Sequence, residues 1–258
     1  MMMKLFKTSA AAAALAVALM LGAGPAMAEV GKPPARDWSF DGMFGTFDRG
    51  AAQRGFQVYQ EACAACHSLK LVAYRNLSGI GLSEDQIKAI AAKVEVTDGP
   101  NDEGEMFQRP ARPSDRFVKP FANDNAARAA NNGALPPDLS LMVKARKGGA
   151  DYLHALLTGY KEEPPAGIKL SEGMNYNLYF PGNQIAMAPP VADDAVEYAD
   201  GTKATADQIA TDVATFLAWA AEPELEERKR LGIKVLLFLI VLTAMMYALK
   251  RQIWSDQH

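Results

Sequence analysis

The chain contains two cysteines, and both lie in one short motif, Cys63-Ala64-Ala65-Cys66-His67. Two thiols separated by two residues and followed directly by a histidine form the signature of covalent haem attachment. The thiols can reach the two vinyl groups of one porphyrin, and the adjacent imidazole can ligate the iron. The motif therefore predicts one haem c, held by thioethers from Cys63 and Cys66, with His67 as an axial iron ligand.

Three other interpretations of this motif are possible. A thioredoxin-like redox pair requires a strand–helix–strand context, whereas the sequence here favours a helix followed by a loop. A structural zinc site requires four ligands, and His154 and His258 are the remaining histidines. A structural disulfide stays open from the residues alone, although such a pair rarely precedes a histidine directly. Haem attachment accounts for both cysteines and the histidine together.

The first 28 residues are typical of an export signal. A positively charged start precedes an apolar stretch, and residues 26–28 read Ala-Met-Ala, a pattern that signal peptidase accepts. The sequence therefore predicts cleavage that leaves Glu29 at the mature N-terminus. An uncleaved anchor is the alternative, but the apolar run is short for a membrane span.

A second apolar segment lies near the other end, where Leu231 to Leu249 contains Lys234 as its one charged residue. At about 1.5 Å per residue, a helix of this length spans about 30 Å, the thickness of the hydrocarbon core. Basic residues flank both ends, as is typical of interfacial positions. The pattern predicts a transmembrane anchor over 228–250 rather than a buried core helix. The signal directs the part of the chain before this anchor across the membrane. The tail 251–258, on the other side of the anchor, is therefore expected in the cytoplasm.

The part between these two segments, 29–227, is acidic. Of the 30 acidic residues only Asp256 lies outside it, whereas eight of the 27 basic residues do, so this part carries a net charge of −10. The acidic residues are concentrated in 84–105 and 193–200. Such a surface either keeps an exported protein soluble or steers a basic partner protein toward docking. It offers no electrostatic basis for binding nucleic acid.

Helical periodicity dominates the exported part, and several capping residues support it. The stretches Thr97–Asn125 and Glu162–Pro190 are rich in turn residues and are expected to be loops, and no convincing strand pair is apparent. The predicted fold class is mainly α, with long loops and one C-terminal transmembrane helix. Helices are expected over Phe47–Ala62, after Ser83, after Ser140, over Asp151–Thr158 and after Thr205.

The second axial ligand decides whether the iron is closed for electron transfer or open to exchangeable ligands. Met187 lies in Gln184–Pro190, where two prolines stiffen a loop that could hold a thioether against iron. Met142 falls on the apolar face of a short helix and is expected in the core. From the residues alone, Met187 as a ligand and Met187 as an ordinary core residue both remain open. The candidates in the exported part are Met43, Met106, Met142, Met174, Met187 and His154.

Several motifs together resemble the bacterial members of the cytochrome c1 family, the haem subunit of quinol–cytochrome c reductase. They cover nearly all of the mature chain in order. The resemblance implies a cytochrome-c-like haem domain over 29–227, in which the helices predicted over Phe47–Ala62 and after Thr205 pack together. The motifs are the haem motif at 63–67, Asn131–Ser140, Tyr179–Gly182, Ile185–Pro190 and the C-terminal anchor.

The resemblance also implies roles for single residues. Met187 would be the second axial ligand of the haem iron. Arg146 would pair with a haem propionate, and an exposed helix charge is the alternative. Because no cysteine is left for a disulfide, how the segment Lys161–Asn177 is held stays open. The positions implied to line the haem are Asn131, Ala134, Pro136, Pro137, Tyr152, Phe180 and Ile185.

The function implied by the resemblance is electron transfer in a respiratory complex. The haem would take an electron from the Rieske iron–sulfur protein and pass it to a cytochrome c. The chain would stand beside cytochrome b in a dimeric bc1 complex of the bacterial inner membrane, with its haem domain in the periplasm. By itself it would make and break no substrate bonds, so enzyme activity belongs to the complex. A stand-alone anchored cytochrome, or a haem enzyme or gas sensor with an exchangeable site, are the alternatives.

Overall fold

The computed structural model describes residues 31–255, so the predicted export signal and the last three residues lie outside it. A π-helical turn, Tyr59–Cys63, continues the first helix, and a 3₁₀ helix spans Tyr74–Ile80. The described part is mainly α, as expected. Its α-helices are α1 (Arg49–Val58), α2 (Glu84–Ala91), α3 (Asp124–Ala130), α4 (Met142–Ala145), α5 (Gly149–Thr158), α6 (Ala206–Ala221) and α7 (Leu225–Trp254).

Helices α1 and α6 pack directly against each other at the centre of the fold. A capping side chain precedes each helix. Asp48 accepts a hydrogen bond from the backbone N–H of Ala51, and Thr205 accepts one from the backbone N–H of Gln208. Gly55 lets the two backbones touch, because a Cβ at this position would lie 2.0 Å from the carbonyl oxygen of Asp212. The expected packing of the helix before the haem motif against the late amphipathic helix is confirmed.

A buried ion pair fixes the register of these two helices. The carboxylate of Asp212 is fully buried, and the Nε and Nη2 atoms of Arg54 each donate to one of its oxygens at 2.9 Å. Gln208 adds a third donor at 3.0 Å. A buried carboxylate that lost these partners would remain charged without compensation, so sliding of α1 along α6 is strongly disfavoured.

Aromatic side chains fill the space around this helix pair. The ring of Phe216 on α6 lies 5.5 Å from that of Phe56 and 5.8 Å from that of Tyr59. Phe117 contacts both Phe56 and Tyr59 edge-on. Such pairs bury large apolar areas and restrict the orientation of each ring. Because Tyr59 opens the π turn that ends at Cys63, the aromatic cluster also fixes the position of the haem motif.

Two expectations about the loop Thr97–Asn125 are wrong. Residues Glu95–Asp98 (β1) and Phe107–Pro110 (β2) form an antiparallel hairpin, and α3 begins at Asp124. The strands have four residues each and are mostly exposed, so they lack the alternation of apolar and polar residues that identifies strands in a sequence. The hairpin is held instead by Arg109, which pairs with the carboxylates of Asp98 and Asp115.

Helix α7 contains the predicted anchor 228–250 and begins at Leu225, after the interruption at Pro223. Within residues 31–255 it is the one helix long and apolar enough to cross a membrane, and the rest of the chain does not cover its apolar part. Its first turns are attached to the body through two charged side chains. Glu226 accepts hydrogen bonds from the backbone of Phe47 and the side chain of Arg49, both at 2.9 Å. The ammonium of Lys229 donates to the carbonyl oxygens of residues 40 and 45.

Replacing Gly55 by alanine is expected to lower the free energy of unfolding by about 3 kcal/mol, because the added methyl group would force α1 away from α6. Gly50→Ala is the matched control in the same helix. There a Cβ would meet side-chain atoms of Asp48 and Arg54 at 3.3 and 3.6 Å, and these atoms can move. Urea unfolding of the detergent-solubilised protein measures both variants. Equal stability of the two would contradict close backbone contact at Gly55.

Candidate haem site

The haem motif forms a compact turn directly after the π-helical end of α1. The backbone N–H groups of Cys66 and His67 both donate to the carbonyl oxygen of Cys63, at 3.1 and 2.9 Å. Both cysteines are free thiols in the described part of the chain, which gives the disulfide alternative no support. Cys63 faces inward, where burial raises the pKa of its thiol to about 12, whereas Cys66 is exposed. One thiol therefore lies at the floor of the site and the other at its edge.

The imidazole of His67 is oriented by a backbone carbonyl. Its Nδ1 atom lies 2.8 Å from the carbonyl oxygen of Pro137, so Nδ1 carries the proton and donates it to that oxygen. Burial lowers the pKa of His67, and the contact with Pro137 and the nearby charge of Asp138 oppose this shift. The side chain is therefore a neutral imidazole whose Nε2 atom has the lone pair that iron requires. A second-shell hydrogen bond of this kind is typical of metal-binding histidines.

Asp138 joins the segment Asn131–Ser140 to the haem motif. One of its carboxylate oxygens accepts hydrogen bonds from the hydroxyl of Ser68 at 2.6 Å and the backbone of Lys70 at 3.0 Å. The other accepts from the backbone of Ser140 at 3.0 Å. Asp138 lies within the motif Asn131–Ser140, but the sequence predicted no role for it. These contacts hold Pro136 and Pro137, both predicted haem neighbours, beside the motif.

A cleft open to solvent lies next to Cys66. Its walls include Pro136 and the segment Lys119–Asp124. Asn131, another predicted haem neighbour, donates from its side chain to the carbonyl oxygen of Ala127 at 2.7 Å, and Ala127 also lines this cleft. Ala134 is partly buried in the same segment. Of these predicted neighbours, Pro136 lines the cleft directly, and Asn131 is bonded to a residue that lines it.

Met187 lies in a loop whose backbone is held by two side chains. The hydroxyl of Tyr160 donates to the carbonyl oxygen of Met187 at 3.1 Å, and the amide of Asn175 donates to the same oxygen at 3.3 Å. Just before Met187, Ile185 is buried and pairs with Asn175 in a short antiparallel ladder of β3 (Asn175–Tyr176) and β4 (Gln184–Ile185). Met187 and Ile185 were predicted from the sequence as site residues, whereas Tyr160 and Asn175 were not.

The buried side chain of Asn177 holds the end of the segment Lys161–Asn177, which no disulfide can hold. Asn177 is fully buried, and its amide nitrogen donates to the carbonyl oxygen of Leu156 in α5 at 2.8 Å. Its amide oxygen accepts from the backbone of Tyr179 and of Phe180, the latter a predicted haem neighbour. Because every one of these groups is paired, the arrangement is stable in a buried position.

Tyr152 and Arg146 lie beside each other at the start of α5. Tyr152 is buried, and burial raises the pKa of its hydroxyl, while the positive charge of Arg146 opposes the rise. Arg146 itself is exposed, and its guanidinium donates to the neighbouring carbonyl of Ala145. Tyr152 in turn lies close enough to Tyr160 to influence its ionisation. Tyr160, in turn, donates to the carbonyl oxygen of Met187.

The other candidate axial ligands are placed less favourably. Met43, Met106 and Met174 are exposed, and Met142 is buried in the core as expected. His154 is buried, with its Nε2 atom 3.0 Å from a carboxylate oxygen of Asp207. Burial and, next, the charge of Arg36 lower the pKa of His154, and Asp207 opposes this shift.

The donor set fits a haem rather than a bare metal ion. Within residues 31–255, no group of three or more histidine, cysteine, aspartate or glutamate side chains could hold a metal ion. A porphyrin supplies four equatorial nitrogens, so its iron requires two axial ligands from the protein. The two predicted ligands are His67, whose Nε2 is not used by the contact with Pro137, and Met187, which is partly buried. The zinc alternative has no support in the described part of the chain.

Comparison with known proteins agrees with this geometry. Residues 38–257 match the model of the Cytochrome C1 family. The chain is 53% identical to a cytochrome c1 of Rhodospirillum rubrum over 236 residues, which cover 86% of this chain and 87% of that protein. It is 54% identical to a mitochondrial cytochrome c1 haem protein of Arabidopsis thaliana, covering 86% and 72% of the two chains. A cytochrome b-c1 complex catalytic subunit of Candida albicans is also 54% identical, with 86% and 77% covered.

Replacing Asp138 by asparagine is expected to destabilise the protein by about 2 kcal/mol at neutral pH, because the amide would turn a donor toward Ser68, Lys70 or Ser140. Burial disfavours the charge on Asp138, but its hydrogen bonds outweigh burial and hold the pKa of this carboxyl below the ordinary value of 3.8. The stabilisation is therefore complete above that value and is lost as the pH falls through the lowered pKa.

Unfolding of the Asp138→Asn variant and the unsubstituted protein at a series of pH values measures this difference. The two curves are expected to converge in acid. Asp102→Asn, in the exposed loop between β1 and β2, is the matched control and should follow the unsubstituted protein at every pH. A constant difference between the Asp138 variant and the unsubstituted protein down to strongly acidic pH would contradict the assigned role.

Proposed function

This chain belongs to the cytochrome c1 family, and we propose that it relays single electrons from the Rieske iron–sulfur protein to a cytochrome c. Family membership makes it a c-type cytochrome of the cytochrome bc1 complex, with cytochrome b and the Rieske protein as implied partners. Family membership also favours a subunit of this complex over a stand-alone anchored cytochrome. The direction of the relay and its acceptor belong to the proposal.

One haem c is bound through thioethers to Cys63 and Cys66 in this proposal, with His67 and Met187 as the axial ligands. The iron of such a group alternates between its ferrous and ferric states, which is the chemistry it supplies. The observation that carries the proposal is the contact between Nδ1 of His67 and the carbonyl of Pro137, which leaves Nε2 for the iron. A thioether from Met187 would close the sixth position and raise the reduction potential. Such a site suits electron transfer better than catalysis on bound ligands.

The surrounding residues would bind and orient the porphyrin. Arg146 is proposed to pair with a propionate, since a planar guanidinium binds a carboxylate through two hydrogen bonds. Its exposure and its position beside Tyr152 support a role at the solvent edge of the haem. The proposed lining of the haem consists of Asn131, Ala134, Pro136, Pro137, Tyr152, Phe180 and Ile185.

The proposed location is the bacterial inner membrane. After cleavage of the signal 1–28, the haem domain 29–227 would lie in the periplasm, α7 would cross the membrane once, and 251–258 would be cytoplasmic. The uncovered apolar part of α7 supports the crossing. Contacts of Glu226 and Lys229 with the body would keep the haem domain close to the membrane surface. We also propose that the complex is a dimer.

The acceptor would dock on one of the two acidic stretches. In the first stretch, Glu84 is paired with Lys88 and Asp98 with Arg109, so part of its charge is neutralised within the chain. The exposed loop between β1 and β2 carries three further carboxylates, at Asp102, Glu103 and Glu105. Exposed carboxylates of this kind would attract a basic cytochrome c over a distance set by ionic strength.

Replacing Met187 by leucine is expected to lower the reduction potential by a sizeable part of the about 0.8 V range over which axial ligands set it. The reduced protein should then bind carbon monoxide, because the sixth position of the iron has lost its ligand. Met142→Leu, a buried methionine of the core, is the matched control and should leave both properties unchanged. Redox titration and absorption spectra measure the effect. An unchanged potential would show that Met187 is not the ligand, and carbon monoxide binding by the native protein would favour the haem enzyme or gas sensor.

Neutralising Asp102, Glu103 and Glu105 to their amides is expected to slow reduction of cytochrome c about tenfold at low ionic strength, because steering by charge is lost. The difference should shrink at high salt, where screening removes the same attraction. Asp194→Asn with Glu197→Gln, in the second acidic stretch, is the comparison variant. Stopped-flow kinetics at several salt concentrations distinguish the stretches. A salt-independent effect of the triple variant would rule out steering by this loop.

A further inference from the structure

Two side chains from different segments meet at one backbone oxygen, the carbonyl of Met187. The hydroxyl of Tyr160, just after α5, donates to it at 3.1 Å. The amide nitrogen of Asn175, in β3, donates to it at 3.3 Å. Both contacts are partly buried, so they compete with water less than exposed hydrogen bonds do. A carbonyl has two lone pairs, and this one uses both on donors from outside its own loop.

Each of the two donors is itself held in place. Tyr160 forms an isolated antiparallel bridge with Asn177, the buried asparagine that is bonded to α5. Asn175 pairs with Ile185 across β3 and β4, two residues before Met187. The Met187 carbonyl is therefore tied to α5 through Tyr160 and Asn177, and to the β3–β4 ladder through Asn175.

The methionine side chain needs such support from its backbone. It has three rotatable bonds and a soft thioether, so it adapts readily to other surroundings. A side chain of this kind stays on the iron when its own Cα is held at the correct distance. On the far side of Met187, Pro189 restricts the backbone of Ala188 to extended conformations. The two donors supply the corresponding restraint at Met187 itself.

We propose that Tyr160 and Asn175 are positioning residues that hold the loop of Met187 in the geometry in which its thioether stays bound to iron. Together with Asn177 they brace the Lys161–Asn177 segment and the methionine loop where no disulfide can. This inference rests on the proposed role of Met187 as the axial ligand. It adds that the strength of the iron–sulfur bond depends on two hydrogen bonds that do not touch the haem.

The test uses the purified complex with Tyr160→Phe, Asn175→Ala and the double variant. Each single change removes one donor, and phenylalanine retains the ring of Tyr160. We expect the fraction of reduced haem that binds carbon monoxide to rise about fivefold in each single variant, the equilibrium factor typical of one neutral hydrogen bond. The reduction potential should fall in parallel, and both effects should be larger in the double variant.

Thr215→Val is the matched control, since it removes a buried hydroxyl that donates to the carbonyl oxygen of Thr211 at 2.9 Å within α6. Its thermal stability, measured with that of the other variants, shows how much a lost buried hydroxyl costs in general. A purely structural role of Tyr160 and Asn175 would lower stability as in the control and leave the potential and carbon monoxide binding unchanged. That result would overturn the proposal.

The Met187→Leu variant separates failure of this inference from failure of the proposed function. If Met187→Leu opens the iron and the Tyr160 and Asn175 variants do not, then Met187 is the ligand but needs no support from these donors. If Met187→Leu itself has no effect, the ligand assignment and this inference both fall. If all of these variants open the iron and the Thr215 variant does not, the positioning role stands.

Discussion

The close contact between α1 and α6 at Gly55 is the constraint on which the rest of the structure depends. Because the backbones touch there, the rings of Phe56, Tyr59 and Phe216 are forced into one layer, and α1 can end at a single place. Its π-helical last turn then delivers Cys63 to the floor of the haem site. A π turn at such a point is typical of functional sites, where an extra residue redirects the chain. The position of the haem motif is thus determined by helix packing that contains none of the predicted iron ligands.

The two sides of the haem site are built by different means. On the side of His67, the carboxylate of Asp138 accepts hydrogen bonds from Ser68 and Lys70, which follow the haem motif, and from Ser140. On the side of Met187, neutral amides and a tyrosine hydroxyl perform the same task. A charged centre gives stronger hydrogen bonds but responds to acid, whereas neutral amides do not titrate. The hydrogen bonds around His67 and those around Met187, the two proposed axial ligands, should therefore differ in their sensitivity to pH.

Structural features that depend on local sequence patterns could be predicted from the sequence. Features that depend on contacts between loops could not. Helices α1, α2 and α6 were expected because capping residues and apolar periodicity lie within each segment. The β1–β2 hairpin was missed because its stability comes from ion pairs of Arg109 with Asp98 and Asp115 rather than from an apolar pattern in its strands. The haem motif was evident from its spacing, but Met187 stayed open until a family resemblance assigned it. Tyr160 and Asn175 could not be predicted, because a hydrogen bond to a carbonyl far away in the chain leaves no periodic pattern in the sequence.

The attachment of α7 has a consequence for how electrons reach and leave this subunit. Glu226 and Lys229 join the membrane helix to the chain around Phe47 before it enters the apolar layer, so anchor and haem domain move as one piece. Hydrogen bonds of this kind oppose rotation of the body relative to α7. Because electron transfer is short-ranged, the proposed relay would then depend on movement of the donor and acceptor proteins rather than of this subunit.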